Sequence, residues 1–246
     1  MFQIVPKRLR IEYDSCIVEL SCQVPPATRS PIKRNYDNAG RRAGSDETRT
    51  RILDVARELL TSRGYRATTI AEVARRAGVH IDTIYELVGR KPAILRELME
   101  RAISGTDRAI APADRGYVQA MNDEPDPARK LAIYATALRE IQPRMAPLLL
   151  ALRDAATTEP QAEEVRQEIS KRRAHNMRDL IRALGPDGTL RAGLSVDQAA
   201  DTIWATASAE MFILLTVDLG WSLVAYERWL ADTWQRLLLA PAPPVP

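Results

Sequence analysis

The sequence predicts an all-α protein, on three observations. Apolar residues recur at i, i+3, i+4 and i+7 through most of the chain, with little of the period-two alternation of strands. Aromatic residues are only 5% of the 246, while Ala, Arg and Leu are abundant. Candidate helix starts carry hydroxyl or acidic caps and candidate ends carry glycine, as at Thr69 and Gly78.

Residues 1–45 differ from the rest. They hold Pro6, Pro25, Pro26, Pro31, both cysteines (Cys16 and Cys22) and the basic clusters Lys7-Arg8-Arg10, Lys33-Arg34 and Arg41-Arg42. Leu9, Ile11 and Tyr13 alternate with charges, but no core awaits such a strand, so a disordered basic extension is expected. A first helix is predicted over 46–66, capped by Ser45 or Asp46. Ile52, Val55, Ala56, Leu59 and Leu60 form its inner stripe, and Gly64-Tyr65 ends it.

The stretch 68–88 reads as a tight αα-hairpin. Thr69 and Glu72 have capping-box spacing, Ile70, Val73, Ala74 and Ala77 fall at helical spacing, and Gly78 can take positive φ after the helix end. A second short helix places Ile81, Ile84 and Leu87 or Val88 on one side, and small Ala71, Ala74 and Ala77 permit a close, steep crossing. An ordinary αα-hairpin has this form. So does a helix-turn-helix, whose second helix enters the major groove of DNA.

This succession resembles the N-terminal domain of the TetR family of transcriptional regulators. The resemblance is carried by Ile52, Ala56, Leu59, Gly64-Tyr65, Thr68-Thr69-Ile70, the run from Ala71 through Ala77-Gly78-Val79, Thr83-Ile84-Tyr85 and Lys91. It covers residues 46–105 closely and the remainder loosely. It implies a three-helix DNA-binding domain over 46–105, with a ligand-binding and dimerisation domain over 106–240. Carried over by position, His80, Ile81, Asp82 and Thr83 face base edges. Tyr85 and Lys91 approach phosphate, Thr69 donates to phosphate, and Arg49 and Thr50 reach phosphate from the first helix. Arg41 and Arg42 are candidates for further phosphate or minor-groove contacts. Three positions depart from the family pattern: Asp82 for a small residue, Glu86 for a basic one and Val88 for Phe. The two acids repel phosphate, although a carboxylate can accept from the cytosine amino group.

A fourth helix is predicted over 92–104, with Pro92 in its first turn and Ile94, Leu95, Leu98, Met99 and Ala102 inward. Residues 105–126 read as a loop with at most one short helical turn. A helix over 127–142 is expected to be interrupted by Pro143 and Pro147, which start another. A charged helix follows over 159–184, with His175 on its solvated face, and GPDG at 185–188 reads as a turn. Ser195 to Gln198 is a second capping box opening a long apolar helix, and a last helix follows Ser222. The tail 241–246 is expected to be disordered. The pattern AADTIWA, GW and YERWLADT between Ser195 and Leu239 resembles the C-terminal region of a TetR subgroup. In the family these last two helices pair with their twins in a second subunit. Trp204, Trp221, Trp229 and Trp234 are the expected dimer contacts.

The net charge is +3 and the pI about 9.0, which agrees with a nucleic-acid partner without requiring one. No apolar run is long enough for a membrane span and MFQIVPKRLRIEYD lacks a signal core, so a cytoplasmic protein with no membrane partner is expected. No G-x-S-x-G, phosphate loop, H-E-x-x-H or Cys–His pair is present, and two His and two Cys lack metal-ligand spacing. No catalytic residue, metal or cofactor is expected. The resemblance implies a homodimeric, ligand-responsive regulator, most often a repressor, with double-stranded operator DNA, a second copy of itself and a small hydrophobic effector as partners. Expected pocket residues are Tyr134, Leu138, Met145, Leu149, Arg153, Met177, Trp204, Met211 and Phe212. The alternative is a protein of the same fold that binds ligands or partners and has lost specific DNA binding, motivated by Asp82 and Glu86.

Overall fold

The computed structural model describes residues 35–106, 110–185 and 189–241. The extension 1–34 with its two cysteines, residues 186–188 of the GPDG turn and the tail from 242 onward lie outside the described residues. Within them the chain folds into helices α1 (Asn35–Ala67), α2 (Ile70–Ala77), α3 (Ile81–Leu87), α4 (Lys91–Ser104), α5 (Gly116–Asp123), α6 (Pro127–Ala156), α7 (Pro160–Arg182), α8 (Val196–Thr206), α9 (Ala209–Ile213) and α10 (Leu223–Leu238). No strand occurs among the described residues. A lone antiparallel bridge joins Leu190 to Leu239 and ties the loop before α8 to the end of α10.

Four elements differ from the sequence expectation. Helix α1 starts at Asn35 rather than 46, because no proline stands between Pro31 and Pro92 and the Ala- and Arg-containing run tolerates helix despite Gly40 and Gly44. It breaks at Gly64, whose φ of 78° and ψ of 171° turn the chain so that Tyr65 enters the core. The 105–126 loop holds a 3₁₀ turn at Pro112–Asp114 and the eight-residue α5. Helix α6 runs unbroken through Pro143 and Pro147 for 30 residues. An internal proline costs about 3 kcal/mol in an isolated helix. Here α6 is the central helix, packed against α1, α4, α5, α7, α9 and α10, and its buried side chains outweigh that cost. Finally, the long apolar helix opened by the Ser195 capping box breaks after Thr206. Ser208 caps a new start by accepting from the Met211 N–H at 3.2 Å, and α9 passes into a π-helical turn, Leu214–Asp218.

Two apolar cores share α6. The first joins Ile52, Leu53, Ala56, Leu59 and Leu60 of α1 to the hairpin through Val73, Ala74, Ala77 and Ile84. It continues through α4 to Ile141, Met145, Leu148 and Leu152 of α6. The second gathers α5, α7, α8, α9 and α10 around Leu131, Tyr134, Leu138, Phe212, Tyr226, Leu230 and Trp234. No single helix among the described residues is long and apolar enough to cross a membrane.

Candidate functional site

The hairpin is set by glycine and by two arginines. Gly78 takes φ 67° and ψ 37° at the end of α2, and its N–H donates to Ala74 O. Thr69 Oγ1 accepts from the Glu72 N–H at 3.2 Å, but the reciprocal half of the box is absent. The Glu72 carboxylate instead takes a two-pronged contact from Arg75, which holds it below its ordinary pKa. From α1, Arg51 Nε donates to Ala77 O at 3.0 Å and Arg49 Nε donates to Leu87 O at 3.1 Å. Each guanidinium therefore sits on the negative C-terminal end of one hairpin helix. Arg49 also pairs with Glu97 of α4, and Thr50 accepts from Arg101 Nη2 at 3.0 Å.

Thus fixed, α3 buries Ile84 completely and leans Leu87 and Val88 on the core, so that His80, Ile81, Asp82, Tyr85 and Glu86 face outward. Ile81 is 41% and Tyr85 48% exposed, large side chains left uncovered at the tip of a short helix. His80 occupies the N-cap position of α3 without a capping bond, which leaves its ring available to a partner. Thr83 is half-buried beside them. Lys91 lies with Nζ 3.7 Å from the Tyr65 ring centroid. Burial pulls its ammonium below the ordinary lysine value, with Glu159 pushing the other way. Arg90, exposed at the N-cap of α4, has no ion-pair partner among the described residues.

The second feature is a cavity of about 160 Å³ between α4, α5, α6 and α7. Met99, Ile103, Val118, Met121, Leu138, Ile141, Met145, Leu149, Ile169 and Met177 give it apolar walls, and Arg115, Arg172 and Arg173 are its charged residues. The third is an exposed apolar surface at the turn into α10: Leu214, Val217 (64% exposed), Leu219, Trp221, Leu223 and Val224. Trp221 meets Trp229 edge-on at 6.3 Å.

Residues 52–98 match the family model for bacterial regulatory proteins of the tetR family. An uncharacterized HTH-type transcriptional regulator of Bacillus subtilis (strain 168), YvkB, is 26% identical over 152 residues, which is 62% of this chain and 75% of that one. Among solved structures, NalD, the secondary repressor of the MexAB-OprM multidrug efflux pump in Pseudomonas aeruginosa, superposes with a TM-score of 0.62 at 20% identity. It covers 79% of this chain and 98% of its own. The transcriptional regulator FadR from Bacillus subtilis, in complex with stearoyl-CoA, gives 0.60 at 21% identity, over 75% of this chain and 96% of its own. Residues 52–98 thus match a TetR-type helix-turn-helix domain, and the chain shares the fold of the solved regulators over about three quarters of its length. Each of these relatives is described as a transcriptional regulator or repressor.

Of the residues expected at the bases, His80, Ile81 and Asp82 are exposed and Thr83 is half-buried; Tyr85, expected at phosphate, is exposed beside them. Arg49 and Thr50 tie α1 to α3 and α4, and Thr69 caps α2 as an acceptor. Arg90 was missed; its only signal was its place beside Lys91. Of the expected cavity residues, Tyr134, Leu138, Met145, Leu149 and Met177 line it and four do not. Arg153 is exposed and paired with Glu210. Trp204 lies under Arg173, Phe212 packs edge-on against Tyr226 at 5.2 Å, and Met211 leans on the second core. Met211 and Phe212 sit beyond the break after Thr206, which turns them away from where a continuous helix would have carried them. The arginines and α5 went unread, because nothing in a run such as KRRAHN marks which cation turns inward. Of the expected dimer contacts, Trp204 and Trp221 are exposed and Trp229 is half-buried. Trp234 is wholly buried: it stacks on Tyr134 at 5.6 Å, and its Nε1–H donates to Thr206 Oγ1 at 2.8 Å. Its place is in the subunit core, because it faces α6 and α8 rather than solvent.

Proposed function

We propose that the protein is a ligand-responsive repressor that binds a near-palindromic operator as a homodimer in the cytoplasm. The observation that carries this reading is the outward face of α3: a buried Ile84 orients five consecutive-turn side chains away from the core. In the major groove His80, Ile81, Asp82 and Thr83 read base edges, with Asp82 suited to a cytosine amino group. Tyr85, Arg90 and Lys91 hold the backbone, Lys91 by swinging from Tyr65 to a phosphate. The apolar surface around Leu219, Trp221 and Trp229 is the dimer contact. It sets two reading helices about 34–36 Å apart in the simplest two-fold arrangement.

A route from cavity to hairpin supports ligand response. Glu100 of α4 accepts from Arg115 at 2.8 Å and from Arg172 at 2.9 Å, both of which line the cavity. One turn earlier on α4, Glu97 holds Arg49, which caps α3. A ligand that draws either cavity arginine from Glu100 changes the seat of α4 and hence of α3. A coupling of about 1–3 kcal/mol would change operator affinity about 5–150-fold.

Selection of bound duplexes from a random pool by the purified full chain at near-physiological salt tests the reading. The expected product is a palindromic site whose binding is lost in Thr83→Ala or Tyr85→Ala, the latter an exposed change that leaves the fold intact. Asp82 and Glu86, exposed acids without ion-pair partners among the described residues, favour one rival: a TetR fold that no longer reads DNA. Folded, dimeric protein that recovers no specific sequence would establish that rival.

A further inference from the structure

The cavity is chemically lopsided. Among the described residues its apolar walls carry three arginines but no aspartate, glutamate, lysine or histidine. Arg115 and Arg172 are answered by Glu100, which stands behind them on α4. Arg173 contacts no acid among the described residues; Glu210 acts on it only through space and is itself paired with Arg153. Its Nη2 donates to Trp204 O at 2.9 Å and Ala207 O at 2.7 Å, and its guanidinium carbon lies 5.2 Å from the centroid of the Trp204 ring. These carbonyls are the C-terminal end of α8, worth about half a negative charge. No carboxylate lies within ion-pair distance of Arg173, and its Nη1 and Nε make no hydrogen bond among the described residues. Burial weakens the hold on its proton, as expected for a desolvated cation, but a guanidinium stays charged in proteins. Next to it, the neutral groups are saturated or orphaned. Ala207 O takes a second donor, Gln142 Nε2, at 2.7 Å, while the buried Gln142 Oε1 is left without a partner. The cavity therefore offers an apolar body site ending at a cation that has donors to spare and, among the described residues, no carboxylate in contact.

We infer that the effector is a small amphipathic carboxylate, its head on Arg173 and its apolar body along Leu138, Met145, Leu149 and Met177. The inference rests on the reading of the cavity as the effector site and names the chemistry of that site. Size follows from the space: an apolar cavity of about 150 Å³ takes a single benzene ring. One substituted ring, or an aliphatic chain of similar bulk, is the matching body. A guanidinium with two free donor positions suits a carboxylate better than an alcohol, which brings one lone-pair contact and no charge, and rejects an amine.

Three probes of one body, 4-ethylbenzoate, 4-ethylbenzyl alcohol and 4-ethylbenzylamine, separate the possibilities by calorimetric titration of the full-length protein. The carboxylate is expected to bind at least about tenfold more tightly than the alcohol, and the amine not at all. Arg173→Met should abolish that preference while leaving the alcohol within about threefold of its own value. The unchanged alcohol shows that the cavity survives loss of the α8 cap. Arg173→Lys, which keeps the charge, should retain most of the preference. Ser170→Trp, which fills the cavity from its half-buried rim, should remove binding of all probes. Equal binding of the carboxylate and the alcohol, or a preference unmoved in Arg173→Met, overturns the charge inference and leaves the cavity reading standing. Binding that persists in Ser170→Trp, or no binding by any probe, overturns both.

Discussion

Replacing Arg49 by alanine separates a structural arginine from a DNA-contacting one. The side chain donates to Leu87 O at 3.1 Å and pairs with Glu97, with exposures of 42% for Arg49 and 16% for Glu97. A hydrogen bond from a charged donor contributes about 1.5–3 kcal/mol when protected and less where water can replace it. An ion pair this exposed contributes about 0.2–1 kcal/mol. With both discounted for solvent, Arg49→Ala should cost about 1–2 kcal/mol, or about 2–8 °C in Tm for a chain of this size. Urea and thermal unfolding followed by circular dichroism measure that. Operator affinity should fall because α3 loses its cap, but by the same factor at every salt concentration. Each phosphate contact contributes about 0.9 to the slope of log affinity against log salt, and Arg49 should contribute none. Arg90→Ala is the converse. It should leave stability within about 0.5 kcal/mol and lower the slope by about 0.9 for each subunit. An Arg49→Ala protein of unchanged stability with a slope reduced by about 0.9 per subunit would refute the capping argument.

Other perturbations follow from the same geometry. Leu219→Ser with Trp221→Ser should convert dimer to monomer in sedimentation at micromolar concentration with unchanged helicity, whereas Trp234→Ala should cost about 3–5 kcal/mol of folding stability. A dimer indifferent to the first pair would move the interface elsewhere. Gly78→Ala meets no atom within 4 Å but must hold φ 67°, so about 1 kcal/mol of backbone strain is expected, less for Asn, in chemical denaturation. A stabilised Gly78→Ala would mean that the turn relaxes. The buried Tyr226 phenol lies beside Gln142 without closing a well-formed hydrogen bond, and burial pushes its pKa well above the ordinary value of 10. The folded form therefore keeps a proton that the unfolded form releases. Stability should be level below about pH 10 and fall as pH rises above it. Tyr226→Phe should flatten that fall at nearly unchanged neutral stability. Tyr65, also raised by burial, leaves a residual slope. An identical alkaline decline in the variant would exclude Tyr226 as a source.

The sequence by itself determined the helices and the hairpin, because those rest on neighbours. The apolar stripe of Ile52, Ala56 and Leu59, the Thr69 cap, the positive φ of Gly78 and the Ser195 capping box are interactions within four residues, visible as spacing. Local signals also misled where burial overrode them. Pro143 and Pro147 read as breaks, but a central helix tolerates both, and Asn35–Ser45 read as coil because nothing nearby required a helix. Only the tertiary structure decided what the arginines do. Arg49 caps α3, Arg51 caps α2, Arg144 Nε caps α4 through Ala102 O at 2.9 Å, and Arg173 caps α8. In each case the partner carbonyl lies 26 to 42 residues away along the chain. A guanidinium bonding a distant helix end and one awaiting a phosphate have the same spacing in the sequence. The difference is made by the crossing of helices, which also turned Trp234 inward, left Trp221 outside and closed an apolar cavity beside Arg173.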